Sequence, residues 1–257
     1  MPDTRIHRGP HPEDAKLFAP AAWPALQHAT GDMSWLLGRG YAAPSAMKLV
    51  GDRYQLAVRQ RMAVQRSACP DEARAVREAR RAGVAGVLDR PLWIDGYNVL
   101  TTVEVALGGG VILAARDGTY RDIASMHGTY RKVEETVKAL ELLGRPATVR
   151  AAGEWVWFLD RPVSNSGRLR RLMEEMAAQH GWRWRVELVD DPDHVLGASG
   201  EIVATADSVV LDRCQRWFNL AREVIDTEVP HARIVPMAET TEAPPPAELE
   251  SPATAGT

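Results

Sequence analysis

This chain has little with which to cross-link itself. Only two of its 257 residues are cysteine, Cys69 and Cys214, far apart and in no CxxC pair. That excludes a disulfide framework and a thiolate zinc site, and both thiols are expected to be reduced. The seven histidines include no HExxH spacing, so the ligand pattern of a zinc hydrolase is missing as well. Gly108 to Gly110 are not followed by Gly-Lys-Ser/Thr, which excludes a P-loop and leaves a tight turn before a strand. No run approaches the ~18 apolar residues of a membrane span, and "MPDTRIHRGPHPED" lacks the apolar stretch of a signal peptide. A cytoplasmic protein with no membrane partner is expected.

What is present is an ordinary globular composition with an uneven charge. With 45% hydrophobic and 25% charged residues, the chain is long enough to bury a core in roughly one or two domains. Its net charge is −3, yet from Arg39 to Arg90 there are eleven Lys/Arg against five Asp/Glu. That stretch suits phosphates, and equally suits a solvated helical face.

Residues 1 to 75 read as a helical N-terminal domain. Leu26, Met33 and Leu37 fall at helical spacing before Gly38 and Gly40, Ser45 offers an N-cap, and Val58 and Met62 stand four apart. Arg59 and Arg66 share one face of the last of these helices. Residues 76 to 90 continue as a linker helix. From 91 to 230 the pattern changes: "PLWID", "GVILAA", "EWVWFLD", "WRVELV" and "EIVAT" predict strands. Between them lie helices over about 130 to 143 and after "RPVSNSG", where Leu169, Leu172, Met173, Met176 and Ala177 form one stripe ending at Gly181. Such alternation predicts an α/β fold, a mostly parallel sheet flanked by helices, with ligands beyond the carboxyl ends of the strands. Residues 238 to 257 carry four Glu and no base, and with so little to bury they are expected to form a disordered tail.

Three of the predicted strands end in, or soon reach, an aspartate: Asp95, Asp160 and Asp207. Carboxylates gathered at one sheet edge raise one another's pKa values unless a cation lies between them, and Mg²⁺ or Mn²⁺ suits such oxygen ligands. The plainer alternative is that each aspartate caps the helix that follows. "DDPDH" at 190 to 194 is acidic enough for a cation, although a loop after a strand explains it more simply. The stretch "RDGTYRDIASMHGTYRK" sets Arg116, Arg121, His127, Arg131 and Lys132 among tyrosines, as a single-stranded nucleic acid site requires. Its arginines would otherwise pair with Asp117 and Asp122. His127 is a candidate proton carrier. Ser164 and Asn165 offer caps to the next helix, whose start is suited to a phosphate, and Ser208 completes the substrate-side candidates.

In order, "IDGYNVL", "FLDRP" and "TADSVVLD" resemble the acidic motifs of the PIN-like nucleases, especially the NYN branch and the YacP-type ribosome-associated endonucleases. The resemblance covers about residues 91 to 226. It implies a Rossmann-like PIN domain whose acids hold divalent metal for phosphodiester hydrolysis. Asp95, Asp160 and Asp207 would be ligands, Asp212 a supporting acid and Asn98 the residue orienting the Asp95 loop. Glu104, Glu134 and Glu135 are candidates for a further acid. The implied partner is RNA, in a ribosomal or transfer RNA context. The whole chain also resembles the uncharacterised proteins grouped as domain of unknown function 434, whose N-terminal segment is similar to residues 7 to 69. A metal-dependent endoribonuclease is the expected activity, and a non-catalytic RNA-binding or adaptor protein of the same fold is the alternative. A haloacid-dehalogenase-like phosphatase is disfavoured, because Gly96 and Tyr97 follow Asp95 where that chemistry needs a second aspartate.

Overall fold

The computed structural model describes residues 8–124, 130, 132–145 and 153–239. Its N-terminal part is helical: α1 (Asp14–Leu17), α2 (Trp23–Gly38), α3 (Ala43–Arg53), α4 (Val58–Ser67) and α5 (Asp71–Arg80). Proline sits at the start of α2 and α3, where its fixed φ suits a first turn and its missing N–H is not needed. This displaces the expected cap at Ser45, which lies inside the first turn of α3. Leu26, Ala29 and Met33 of α2 and Ala63 and Val64 of α4 are buried together with Met47 and Val50.

That helical core is completed by strands from much later in the chain. Val111, Leu113, Ile123, Val235 and Met237 belong to the same cluster. They come from a three-stranded sheet ordered β3 (Tyr120–Asp122), β2 (Val111–Ala114), β8 (Arg233–Pro236), or flank it. β2 pairs antiparallel with β3 and parallel with β8. "GVILAA" therefore forms a strand as expected, but not in the main sheet. Both its faces are covered, since Ile112 packs on the opposite core, and a strand buried on both sides has the same apolar run whichever sheet it joins.

The main sheet is ordered β5 (Trp184–Val189), β4 (Trp155–Asp160), β1 (Leu92–Asp95), β6 (Ile202–Ala204), β7 (Arg216–Phe218). All its pairings are parallel. Alternate residues serve two cores. Leu92, Ile94, Trp155, Trp157 and Leu159 face α6 (Gly96–Leu107), α7 (Glu135–Gly144), α8 (Ser166–His180) and α11 (Leu220–Glu228). Trp93, Val156 and Phe158 face α9 (Pro192–Gly197) and α10 (Ser208–Arg213). Full burial of Ile94 or Leu159 contributes roughly 1.5–3 kcal/mol each.

From β1 the chain builds outward to β4 and β5, then crosses back to start β6 and β7 on the other side. The direction reverses between β1 and β6, and parallel sheets open a crevice at the carboxyl ends of the strands where that happens.

Candidate functional site

Asp95 and Asp207 flank this crevice. Asp95 closes β1 and is 8% exposed. Gly96 follows because a Cβ there would stand 2.8 Å from the Phe158 carbonyl oxygen, so α6 leaves the strand pressed against β4. The Tyr97 hydroxyl reaches Ser166 Oγ at 3.1 Å. Asn98 accepts the Ala206 N–H on its side-chain oxygen at 2.9 Å. The D-G-Y-N element thus joins β1 to α8 and to the segment after β6.

Thr205 links the two aspartates. Its hydroxyl donates to Asp95 Oδ2 at 2.8 Å and accepts the Asp207 N–H at 2.9 Å. Asp207 Oδ1 in turn accepts from the Val209 and Val210 N–H groups at 2.7 and 3.2 Å, which caps α10. Arg121 Nε donates to the Ala206 carbonyl at 2.8 Å. The peptide unit ahead of Asp207 is therefore held from both sides.

Asp160 lies at the same edge, further out. Asp95 is in register with Phe158, so Asp160 shares its face but sits two residues, about 6.6 Å, further along the strand direction. Asp193 of α9 bridges the interval electrically. Burial is the largest cause of its raised pKa, and the charges of Asp207, Asp160 and Asp191 add to it against Arg213. Asp160 is raised by burial and by Asp191. Burial pushes Asp95 up to about 7, with Asp207 and Asp193 adding to the shift and hydrogen bonds from Thr205 and the Asn98 backbone opposing it. Among the described residues no three Asp, Glu, His or Cys side chains stand close enough together to enclose an ion directly.

Beside the acids runs an open cleft of about 270 Å³, lined by Arg66, Asn98, Thr102, Asp122, Asp207 and Ser208 among others. Asp122 is raised by burial against the nearby Arg66, and accepts from Thr102 Oγ1 at 3.2 Å and the Ala124 N–H at 2.8 Å.

The structure places the other sequence candidates as follows. Asp212 stands apart from the acids, bound by Arg77 Nη2 at 2.7 Å. Glu104 is fully buried and accepts from Arg8 Nε at 2.9 Å, Thr136 Oγ1 at 2.6 Å and the Tyr130 hydroxyl. Glu135 begins α7, with Glu134 at its N-cap, and an Arg8 N–H donates to Glu135 at 3.4 Å. Arg116 donates to the Cys69 carbonyl at 2.7 Å and pairs with Asp71 at 2.6 Å. Arg121 is buried, its guanidinium shared among Asp117, the Ala206 carbonyl and the Arg66 carbonyl, so it positions backbone. Asn165 precedes α8 in a left-handed conformation and makes no side-chain cap; its amide donates to the Tyr130 carbonyl at 2.9 Å. Ser164 is exposed beside it and accepts the Tyr130 N–H at 3.3 Å. His127 and Arg131 lie outside the described residues. Sequence reasoning passed over Thr205, and it set Asp193 aside within a run of acids.

Fold and site together define a mixed α/β protein: a five-stranded parallel sheet flanked by helices, preceded by a helical region, with carboxylates collected at the point where strand order reverses. The chain belongs to the family described as Domain of unknown function (DUF5616), whose model matches residues 84–223, more than half of it. A second model, Protein of unknown function (DUF434), matches residues 25–80, in line with the resemblance of the N-terminal part. An uncharacterised protein of Methanocaldococcus jannaschii is 28% identical over 190 residues, which cover 73% of this chain and 89% of the relative. No solved structure matches. None of these descriptions names an activity.

Proposed function

We propose that this chain is a divalent-metal-dependent endoribonuclease with a PIN/NYN-like domain, cutting RNA at the carboxyl edge of the main sheet. The observation that carries the reading is the Asp95–Thr205–Asp207 link across the switch point between β1 and β6. Mutually repelling carboxylates are costly to bury, and a cation among them removes the cost. Mg²⁺ or Mn²⁺ fits an all-oxygen donor set whose members do not close tightly, because Mg²⁺ takes one or two carboxylates and keeps several waters. Asp95 and Asp207 would hold it, with Asp160 and Asp193 reaching it through water. A divalent ion held there would supply a hydroxide at neutral pH and would offset charge on a phosphate oxygen. The chain's own part is positioning: Thr205 fixes Asp95 and the Asp207 N–H, while Asn98 and Arg121 fix the Ala206 backbone just ahead of Asp207.

The test is cleavage of an end-labelled single-stranded RNA in Mg²⁺, Mn²⁺ or chelator. Internal cuts should appear with either metal, vanish with chelator, and slow at least roughly tenfold in Asp207→Asn. Asp207→Asn cutting as fast as the parent would sink the proposal.

The non-catalytic RNA-binding or adaptor reading is favoured by one observation, the lack of a closed acidic cage among the described residues. It predicts RNA retained uncut, and tighter binding by Asp207→Asn because a negative charge beside phosphates is gone.

A further inference from the structure

The basic excess between Arg39 and Arg90 raises the question of what each cation does, and the structure answers for most of them. Arg59 pairs with Asp14 at 2.8 Å, and Lys48 and Arg61 both pair with Asp52 at 2.9 Å. Arg53 pairs with Asp32 at 3.5 Å. Arg77 lies between Asp117 and Asp212. Arg80 donates to the Asp212 and Cys214 carbonyls, and Arg81 pairs with Glu78.

Arg66 differs. It projects from α4 into the cleft that Asn98, Asp207 and Ser208 also line. Its Nη1 donates to the Asp122 backbone carbonyl at 2.7 Å and pairs with the Asp122 carboxylate at 3.7 Å, and the Arg66 side chain is 41% exposed. Its Nε and Nη2 make no hydrogen bond to a described residue. The guanidinium is thus held in place through one nitrogen, and among the described residues the donors of the other two are unspent. Its anchor is tied to the acids: Thr102 bonds both Asp122 and the Asn98 carbonyl, and Asn98 stands in the first turn of the helix that Asp95 begins.

We infer that Arg66 is the phosphate-binding cation of this cleft, supplied by the N-terminal helical region to grip a phosphate of a single RNA strand neighbouring the one at the acids. The inference rests on the proposed nucleic-acid reading. A crevice walled by carboxylates repels a polyanion, and a fixed cation on its wall compensates. A planar guanidinium with two unspent donor nitrogens matches two phosphate oxygens, a geometry that lysine does not offer. The two family segments would then form one substrate site, the first holding the strand and the second carrying the acids.

The experiment measures binding of a fluorescent oligouridylate to the full chain in chelator, so that nothing is cut, from about 50 to about 200 mM salt. Arg66→Ala should weaken binding roughly fivefold at the lowest salt and reduce the slope of log Kd against log salt by about 0.7, the share of one single-strand phosphate contact. Arg66→Gln, which keeps a donor for the Asp122 carbonyl, should lose the same slope while melting with the parent. Arg66→Lys should keep the slope with weaker binding. Lys48→Ala, which removes one charge from α3 outside the cleft, should leave the slope unchanged. A parent that binds the oligonucleotide while Arg66→Ala and Arg66→Gln keep its full slope would overturn the inference alone. A parent that does not bind would overturn the nucleic-acid reading and this inference with it.

Discussion

A carboxyl pushed up to about 7 at the end of β1 makes Asp95 a source of pH-dependent instability. Unfolded, it titrates near 4; between about 4 and about 7 the native chain keeps a proton that the unfolded chain has released. Stability should therefore fall as pH rises through that window, by on the order of 4 kcal/mol. Asp95→Asn should flatten this part of the profile, as read from urea midpoints in chelator at pH 5 and pH 8. A variant that retains the parent's loss would place its origin elsewhere. Asp117 has the opposite sign. Burial raises its pKa, but Arg121 and Arg77 bring it below the ordinary value, so its contribution is present above about pH 4 and lost as pH falls through the folded value. Asp95 and Asp207 were legible as strand-end acids because each ends or follows an apolar run. Asp193 was not, because it sits in a run of acids where only the turn into α9 singles it out. Thr205 was not, because a threonine after a strand looks the same whether or not its hydroxyl joins the Asp95 carboxylate to the Asp207 backbone N–H.

α10 separates the charge of Asp207 from its shape. Its side chain caps that helix, and Asn caps about as well as Asp whereas Ala does not. Asp207→Asn should melt within about 0.5 kcal/mol of the parent, and Asp207→Ala should lose about 1 kcal/mol. Equal losses in the two would mean that the charge, not the cap, stabilises α10. A second clamp joins elements distant in sequence: Arg77 of α5 binds Asp117, close to β3, and Asp212 of α10. Removing one partner strands a buried charge, so Asp117→Ala should cost about 3–5 kcal/mol, measured by denaturant unfolding. Five strands were legible because each is an apolar run of usable length. β3 (YRD), β7 (RWF) and β8 (RIVP) are as short as β1, β2 and β6, but each contains an arginine and no more than two consecutive apolar residues, so no apolar run marks them, and their absence from the sequence reading is why β2 was placed in the wrong sheet.

At the scale of the molecule, the helical region that the sequence separates at residue 75 shares its core with β2 and β8. Composition showed where the pattern changes; it carried no trace of a core built across that change, because apolar residues do not state their partners. The segment from Thr240 onward lies outside the described residues, and its Pro/Glu-rich make-up leaves little to bury. A chain ending at Glu239 should melt with the parent, whereas one ending at Val229, without β8, should unfold the N-terminal helices along with the sheet. Far-ultraviolet circular dichroism during melting distinguishes these outcomes. β8 also sets a clock. The apolar faces of α2 and α4 are among the first parts of the chain to leave a ribosome, yet residues 233–236 that close their sheet are made roughly 8–30 s later at ordinary elongation rates. Throughout that interval the part of those faces that Val235 and Met237 cover has no permanent partner. Ribosome-bound chains stalled before Val235 has emerged should remain open to protease within residues 14–80, and the newborn protein should depend on whatever shields apolar helices in the cell until β8 arrives.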